Sequence, residues 1–294
     1  DIVAMAKPIT KYAVQIRNPE DIVEELNKAY HIATTGRRGP VLIDLPMNIQ
    51  RSEVENPVYD MTFEDKHTDA AAAQQAADTI LEALEQAKRP VIMLGHGVDS
   101  SFSQQKLIRF AQKRQIPIIT SVLAKSVLGY DHPLNFGCIG GAYGHRYANM
   151  IANAKSDLLL CFGISLCTRQ IGTKVHEFAR GAKIIRIDID PYNLQRDIHE
   201  NGINEVKLQA ETGAVIDCLA KAAAPDTEGI SDWLNVCTEI KENLQAVDDA
   251  TPERYPNRMI ADLSDMLEDT SAIAVDVGQH MVWSYQSFKN HEGQ

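Results

Sequence analysis

This sequence has too little positive charge to assemble a basic face. Lys and Arg number 29 against 40 Asp and Glu, a net charge of −11. A nucleic-acid surface normally needs the opposite balance, so no nucleic-acid partner is expected. Long apolar runs are also missing. None approaches the roughly 20 residues of a membrane helix, and no membrane partner is expected. The start, Asp1-Ile2-Val3-Ala4, lacks the basic and apolar regions of a secretory signal. Cysteine is sparse and scattered: Cys138, Cys161, Cys167, Cys218 and Cys237 include no CxxC pair and no metal-type cluster with the nine histidines. Thiols used this way fit the reduced interior of a cytoplasmic protein.

What is present is a globular composition, 44% hydrophobic and 23% charged, over 294 residues. Helical and strand patterns alternate from residue 70 onward. "AAAAQQAADTILEALEQAK" carries Ile80, Leu84 and Ala87 on one helical face. "RPVIMLGHG" reads as a strand ending in glycines, "SQQKLIRFAQKRQ" as a helix, and "IPIITSVLA" as a strand. "RYANMIANA" is a short helix, "SDLLLCFGI" and "AKIIRIDIDP" are strands, "NEVKLQAE" is an edge strand, and "TGAVIDCLAKAAA" is the helix behind it. Strands alternating with helices mean βαβ units, and continuous apolar strands fit a sheet covered on both faces. The expected fold is therefore α/β, a doubly wound parallel sheet over 70–224 with strands near 90–95, 116–122, 156–163 and 183–189.

The ends differ. "GPVLIDLP" reads as one short strand after a helix, and two helices lead to "SAIAVDVGQHMVW". The last run, Ala272 to Val277, reads as a buried parallel strand that delivers Gln279 and His280 at its carboxyl end, the edge where open α/β sheets bind ligands. Each end supplies too few elements for a layer of its own. The expected division is partial flanking domains at 1–59 and 229–294 around a central Rossmann-like domain at 60–228. Both terminal strands are expected to lack sheet neighbours and to become disordered or pair with another copy.

Several stretches resemble the acetolactate synthases (acetohydroxyacid synthases) and related thiamine-diphosphate enzymes. "PITKYAVQIRNPEDI" through "RGPVLIDLP" is similar to the junction of their first and second domains, "ARGAKIIRIDIDP" to a central-domain strand, and "DVGQHMVW" to the start of the diphosphate-binding domain. The resemblance implies thiamine diphosphate (ThDP) and Mg²⁺ as cofactors, and 2-keto acids such as pyruvate as substrates. It further implies decarboxylation followed by carboligation to a second keto acid, and a homodimer or higher oligomer. The family's activating glutamate has no counterpart here and would precede Asp1, and its "GDG" metal motif does not occur. These 294 residues are therefore expected to be a fragment without turnover of their own, with no catalytic or metal-ligating residue.

By the same resemblance, Gln279 and His280 match the pair that contacts the cofactor diphosphate, and both side chains can donate to phosphate oxygens. Gly95-His96-Gly97 stands where the family's Gly-rich turn touches a structural FAD, with Arg169 and Asp188 as further possible FAD contacts. A lone GxG is also an ordinary tight βα turn. The FAD pattern is broken at Ser165, where the family has arginine, and at Cys167, Cys138-Ile139 and Gln209. Losing an arginine removes a charge-assisted diphosphate contact, so FAD is expected to bind weakly or not at all. "GGAYGHRYAN" reads as a helix-entry loop or a ligand contact, and "VDDATPE" as a solvated linker. Two alternatives stand beside the acetolactate-synthase-like enzyme: another ThDP-dependent 2-keto-acid carboligase or decarboxylase, and a non-catalytic nucleotide-binding or assembly module.

Overall fold

A computed structural model describes residues 1–57, 59, 62–63, 69–98, 101–141, 143–223, 228–252 and 255–291. The chain divides into two units, Asp1–Asp69 and Ala70–Gln294. In the first, helix α1 (Ile2–Ala6) precedes strand β1 (Tyr12–Gln15), helix α2 (Ile22–Thr34), strand β2 (Val41–Asp44) and helix α3 (Met47–Gln50). β1 and β2 pair in parallel, Tyr12 opposite Val41 through Gln15 opposite Asp44, with α2 as the crossover. This corrects the expectation for "GPVLIDLP": its strand finds a partner within its own chain. The partner was missed because "YAVQ" is short and ends in a polar residue, too little for a strand pattern to register.

The second unit runs α4 (Ala70–Gln86), β3 (Pro90–Leu94), α5 (Ser101–Arg114), β4 (Ile118–Thr120), β5 (Asn135–Cys138), α6 (Arg146–Asn149), β6 (Leu158–Phe162), α7 (Thr168–Ile171), β7 (Lys183–Asp188), α8 (Pro191–Gln195), β8 (Glu205–Gln209) and α9 (Thr212–Lys221). Three helices follow: α10 (Glu228–Asp249), α11 (Tyr255–Asp265) and α12 (Gln279–Ser287). Strands β3 to β8 form one parallel sheet in the order β5-β4-β3-β6-β7-β8. The sheet is doubly wound, as the alternation implies. The four strands expected near 90–95, 116–122, 156–163 and 183–189 are present, each shorter at its ends, and "NEVKLQAE" supplies the edge strand β8.

The pleat sends alternate side chains to opposite faces. Ile92, Leu94, Leu158, Leu160 and Phe162 join the buried faces of α4, α5 and α9 through Ala76, Ile80, Leu107 and Val215. Val91, Met93, Leu159 and Cys161 join Tyr147, Ala148 and Ile151 around α6 and Trp233 and Cys237 of α10. Alanines at 73, 76, 77 and 83 leave α4 a flat face that lies close to its neighbours. The indole of Trp233 donates to Pro90 O at 3.0 Å, which fixes α10 to the start of β3. The expected solvated linker "VDDATPE" is helical at its start, since α10 runs on to Asp249 and Asp248 pairs with Arg146 at 3.1 Å.

The run Ala272 to Val277, read as a strand without a sheet neighbour in this chain, forms no strand. The segment from Ser271 to Val277 has no regular structure, with Ile273 and Val275 exposed and Val277 81% exposed. An isolated apolar run gains nothing from extension without a neighbouring strand to pair with. Gln279 and His280 consequently open a helix, α12, instead of capping a strand. Among the described residues no helix is long and apolar enough to cross a membrane.

Candidate cofactor sites

Two regions carry the residues singled out from the sequence. The first is the carboxyl edge of the sheet between β3 and β6. The chain leaves β3 toward β4 and β5 on one side, whereas β6 leads to β7 and β8 on the other, so this is the topological switch point. Gly95 and Gly97 sit here with Gly163, which follows β6. Gly95 N–H donates to Phe162 O and Gly97 N–H to Gly163 O, both at 2.9 Å. Thr212 Oγ1, at the start of α9, donates to Gly97 O at 3.1 Å. A Cβ on Gly95 would lie 2.1 Å from Gly163 O, and Gly163 itself has φ +55°. Backbone meets backbone here, so these glycines serve the loops' approach to each other.

His96 is exposed between them. Arg169 is exposed on α7, and Ser165 is exposed in the loop before it. The guanidinium of Arg196 donates to the backbone oxygens of Ser165 and Leu166 and so holds this loop from the β7–β8 connection. Asp188 is buried at the end of β7, and both carboxylate oxygens are used: Oδ1 accepts from Asp190 N at 2.9 Å and Oδ2 from Asn193 Nδ2 at 3.1 Å. It shapes the β7–α8 turn. Cys138 and Ile139 are buried, while Gln209 is exposed beside Asp188. Among the positions matched to the flavin pattern, an FAD diphosphate would find Arg169 as the one arginine, with Arg196 committed to backbone oxygens and Asp188 already engaged. The donor set does not fit the flavin pattern.

The second region is the C-terminal segment. Gln279 and His280 are exposed in the first turn of α12, after Gly278. A nine-residue helix presents free N–H groups there, and both side chains can add donors beside them. The other end of α12 meets β4 and β5. His145 Nδ1 accepts from Cys138 N–H at 2.9 Å, which leaves the proton on Nε2, and Nε2 donates to Gln286 O at 2.9 Å. Lys125 Nζ donates to Phe288 O at 2.8 Å. Tyr130 N–H donates to Asn290 O, and Asn290 Nδ2 to Leu128 O at 2.9 Å. Within "GGAYGHRYAN", Asn149 and Gly140 exchange hydrogen bonds and His145 stands at the N-cap of α6, so the described part is a helix-entry loop; Ala142 lies outside the described residues.

Burial holds the His145 imidazole neutral, its pKa lowered to about 3, with the nearby Lys125 and Lys241 ammonium groups acting in the same direction. The Lys125 pKa is also lowered by burial, and the Cys138 thiol is raised. A base whose folded-state pKa is depressed contributes stability fully above its unfolded value of about 6.5 and loses it as pH falls toward the folded value. The unfolding free energy from urea titrations should therefore decline between about pH 6.5 and 4, by less than about 1.4 kcal/mol per pH unit from this group. The His145→Gln variant should show a flatter decline. Burial also pushes the Cys161 thiol up to about 12, so it carries no thiolate near neutrality. Among the described residues no three His, Cys, Asp or Glu side chains converge on a metal position.

Residues 77–219 match the family model described as thiamine pyrophosphate enzyme, central domain. The chain carries the central domain of a thiamine pyrophosphate enzyme. It is 32% identical to a probable acetolactate synthase large subunit of Methanocaldococcus jannaschii, over 98% of this chain and 50% of that protein. It is 31% identical to the acetolactate synthase large subunit of Corynebacterium glutamicum, over 97% of this chain and 46% of that protein. A glyoxylate carboligase of Escherichia coli O157:H7 is 36% identical over 67% of the chain and 32% of its own length. The chain is thus acetolactate-synthase-like, and it spans about half the length of the acetolactate synthases it matches. The parallel doubly wound sheet at 90–209 is the core of this thiamine pyrophosphate enzyme central domain.

The sequence did not disclose the Arg186–Glu205 pair. Arg186 Nη1 lies 2.7 Å from Glu205 Oε1, with side-chain exposures of 2% and 0%. A single Arg inside "KIIRID" and a Glu opening the edge strand were the available signals, and neither reveals its partner without the register of β7 on β8.

Proposed function

We propose that this chain is part of an acetolactate-synthase-like, ThDP-dependent carboligase that decarboxylates a 2-keto acid such as pyruvate and joins the remainder to a second keto acid. The observation that carries this reading is similarity to acetolactate synthase large subunits across 97–98% of the chain, from the β1–β2 unit through α12. The cofactor when bound supplies the electron sink for loss of CO₂. Gln279 and His280 would hold its diphosphate through the side-chain amide and the imidazole, beside the free N–H groups of the α12 helix. With no "GDG" in the sequence, no residue here is assigned to Mg²⁺ and no step is routed through it. A homodimer or higher oligomer and a cytoplasmic location belong to the same proposal.

The central sheet acts as scaffold in this reading. Gly95, Gly97 and Asp188 are assigned to loop construction ahead of flavin binding, because they are already engaged within the protein, while His96 and Arg169 are exposed. The glyoxylate carboligase match over 67% of the chain favours one second reading, a ThDP carboligase acting on another 2-keto acid.

The purified 294 residues with pyruvate, ThDP, Mg²⁺ and FAD should form no acetolactate and retain no yellow colour on gel filtration. The same residues within a longer chain carrying the activating glutamate and the metal motif should form acetolactate. Turnover by the 294 residues alone would refute the assignment of catalysis to segments outside them. Product from glyoxylate but not from pyruvate would select the second reading.

A further inference from the structure

The last turn of any α-helix leaves carbonyl oxygens without partners inside the helix. For α12 these are met by side chains from a different layer of the fold. His145, just before α6, donates through Nε2 to Gln286 O. Lys125, from the β4–β5 connection, donates to Phe288 O, the residue that follows the helix. The Lys125 ammonium stands at a helix C-terminus, where the dipole favours a cation, and the neutral His145 ring supplies a hydrogen-bond donor to a carbonyl lone pair. The hold is reinforced on either side. Asn257 Nδ2 of α11 donates to Gln286 Oε1 at 3.0 Å and to Ser287 Oγ at 2.8 Å. Phe288 and Asn290 are buried, and Tyr130 N–H donates to Asn290 O at 2.8 Å.

The two ends of α12 contrast sharply. Its C-terminal end is fastened to the β4–β5 region, whereas the preceding Ser271–Val277 segment has no regular structure and is mostly exposed. A helix of nine residues is rigid along its axis, so fastening one end fixes the position of the other, about 12 Å away.

We propose that Lys125 and His145 are positioning residues: they clamp the carboxyl end of α12 onto the central domain and thereby hold the exposed pair Gln279 and His280 in place for an anionic ligand. The ligand named for that pair, the ThDP diphosphate, rests on the function proposed above, whereas the clamp does not. The His145 ring is doubly committed. Its Nδ1 accepts from Cys138 N–H, so the ring is locked in the tautomer that donates to Gln286 O. Glutamine at 145 keeps an amide donor near the Nε2 position, and leucine removes it. Methionine at 125 keeps the length of the lysine stem and removes the ammonium donor.

Hydrogen exchange on the 294-residue chain tests the clamp without any cofactor. His145→Leu and Lys125→Met should each lower protection of the α12 amides at least tenfold, while amides in β3, β6 and β7 keep theirs, and His145→Gln should restore α12 protection. Unchanged α12 protection in both variants would overturn the clamp, as would an equal loss throughout the sheet or a failure of glutamine to rescue. If His145→Leu does not fold, Lys125→Met and His145→Gln decide the matter by the same criteria. In the longer chain, ThDP affinity measured by quenching of protein fluorescence should fall at least tenfold with His145→Leu and recover with His145→Gln. Lost α12 protection with unaltered ThDP affinity would overturn the cofactor role of Gln279 and His280 and with it their positioning, while the clamp itself is decided by exchange alone.

Discussion

Replacing Glu205 with alanine is expected to destabilise the central domain by about 3–5 kcal/mol, a large share of the roughly 5–15 kcal/mol that holds a typical domain together. Arg186 points from the middle of β7 into the interior, and its guanidinium is shared among Glu205 Oε1, Arg196 O and Asn193 O. Glu205 Oε2 accepts from Ile198 N–H at 2.9 Å. The pair thus holds the β7–α8–β8 connection on both sides. Nε of Arg186 already lacks a partner, so the arginine has no reserve of hydrogen bonds when the carboxylate goes. Alanine leaves a buried cation uncompensated, which costs far more than the ion pair contributes beyond apolar residues of like volume. The double variant Arg186→Met/Glu205→Leu should recover part of the loss. The recovery is incomplete because Asn193 O, Arg196 O and Ile198 N–H lose their partners together. Urea unfolding of Arg186→Met, Glu205→Leu and the double variant should give a coupling energy of about 0.5–3 kcal/mol. Additive losses, or a Glu205→Ala cost below about 1 kcal/mol, would show that water reaches the guanidinium.

This network also marks where a linear sequence stops being informative. The strands "PVIML" and "LLLCF" were legible because a sheet covered on both faces demands apolar side chains at every position, and all ten residues are buried. The α4 pattern was legible for the matching reason, that one helical face meets the sheet. "AIAVDVG" opens with an apolar run like those strands yet is unpaired, since strand formation depends on a neighbour that the run itself cannot specify. β1 shows the converse: four unremarkable residues become a strand because β2 lies beside them. Among the candidate site residues, Gln279 and His280 were found through resemblance, and their placement at a helix start came from the fold. Asp188 and the glycines were read as possible ligand contacts, but their hydrogen bonds and close approaches are internal. Lys125 and His145 carried no local signal, because what they hold lies more than 140 residues further along the chain.

Gly95→Ala is the substitution expected to separate architecture from ligand binding at the switch point. If Gly95 existed to admit a flavin or another ligand, alanine would weaken binding and leave the free protein's stability nearly unaltered. The geometry argues otherwise. The new methyl group would sit 2.1 Å from Gly163 O, 2.6 Å from Gly163 C and 2.6 Å from Ile164 Cα, all backbone atoms that cannot rotate away. Relief requires parting the loops after β3 and β6, which breaks the Gly97 N–H to Gly163 O bond. It also disturbs Thr212 Oγ1 on Gly97 O, and hence the seating of α9. Overpacking of this kind costs about 1–3 kcal/mol when side chains can adjust, and a backbone collision belongs at or above the top of that range. Gly163→Ala should be comparably severe, since it adds a left-handed φ of +55° to a Cβ 2.6 Å from Gly97 Cα. Gly181 offers the control: a Cβ there meets nothing within 4 Å, and alanine should change stability by less than about 0.5 kcal/mol. Thermal and urea unfolding of the three variants, with no cofactor added, decides the question. A Gly95→Ala protein as stable as the parent would return these glycines to the ligand, because the loops would then have room that close packing denies them.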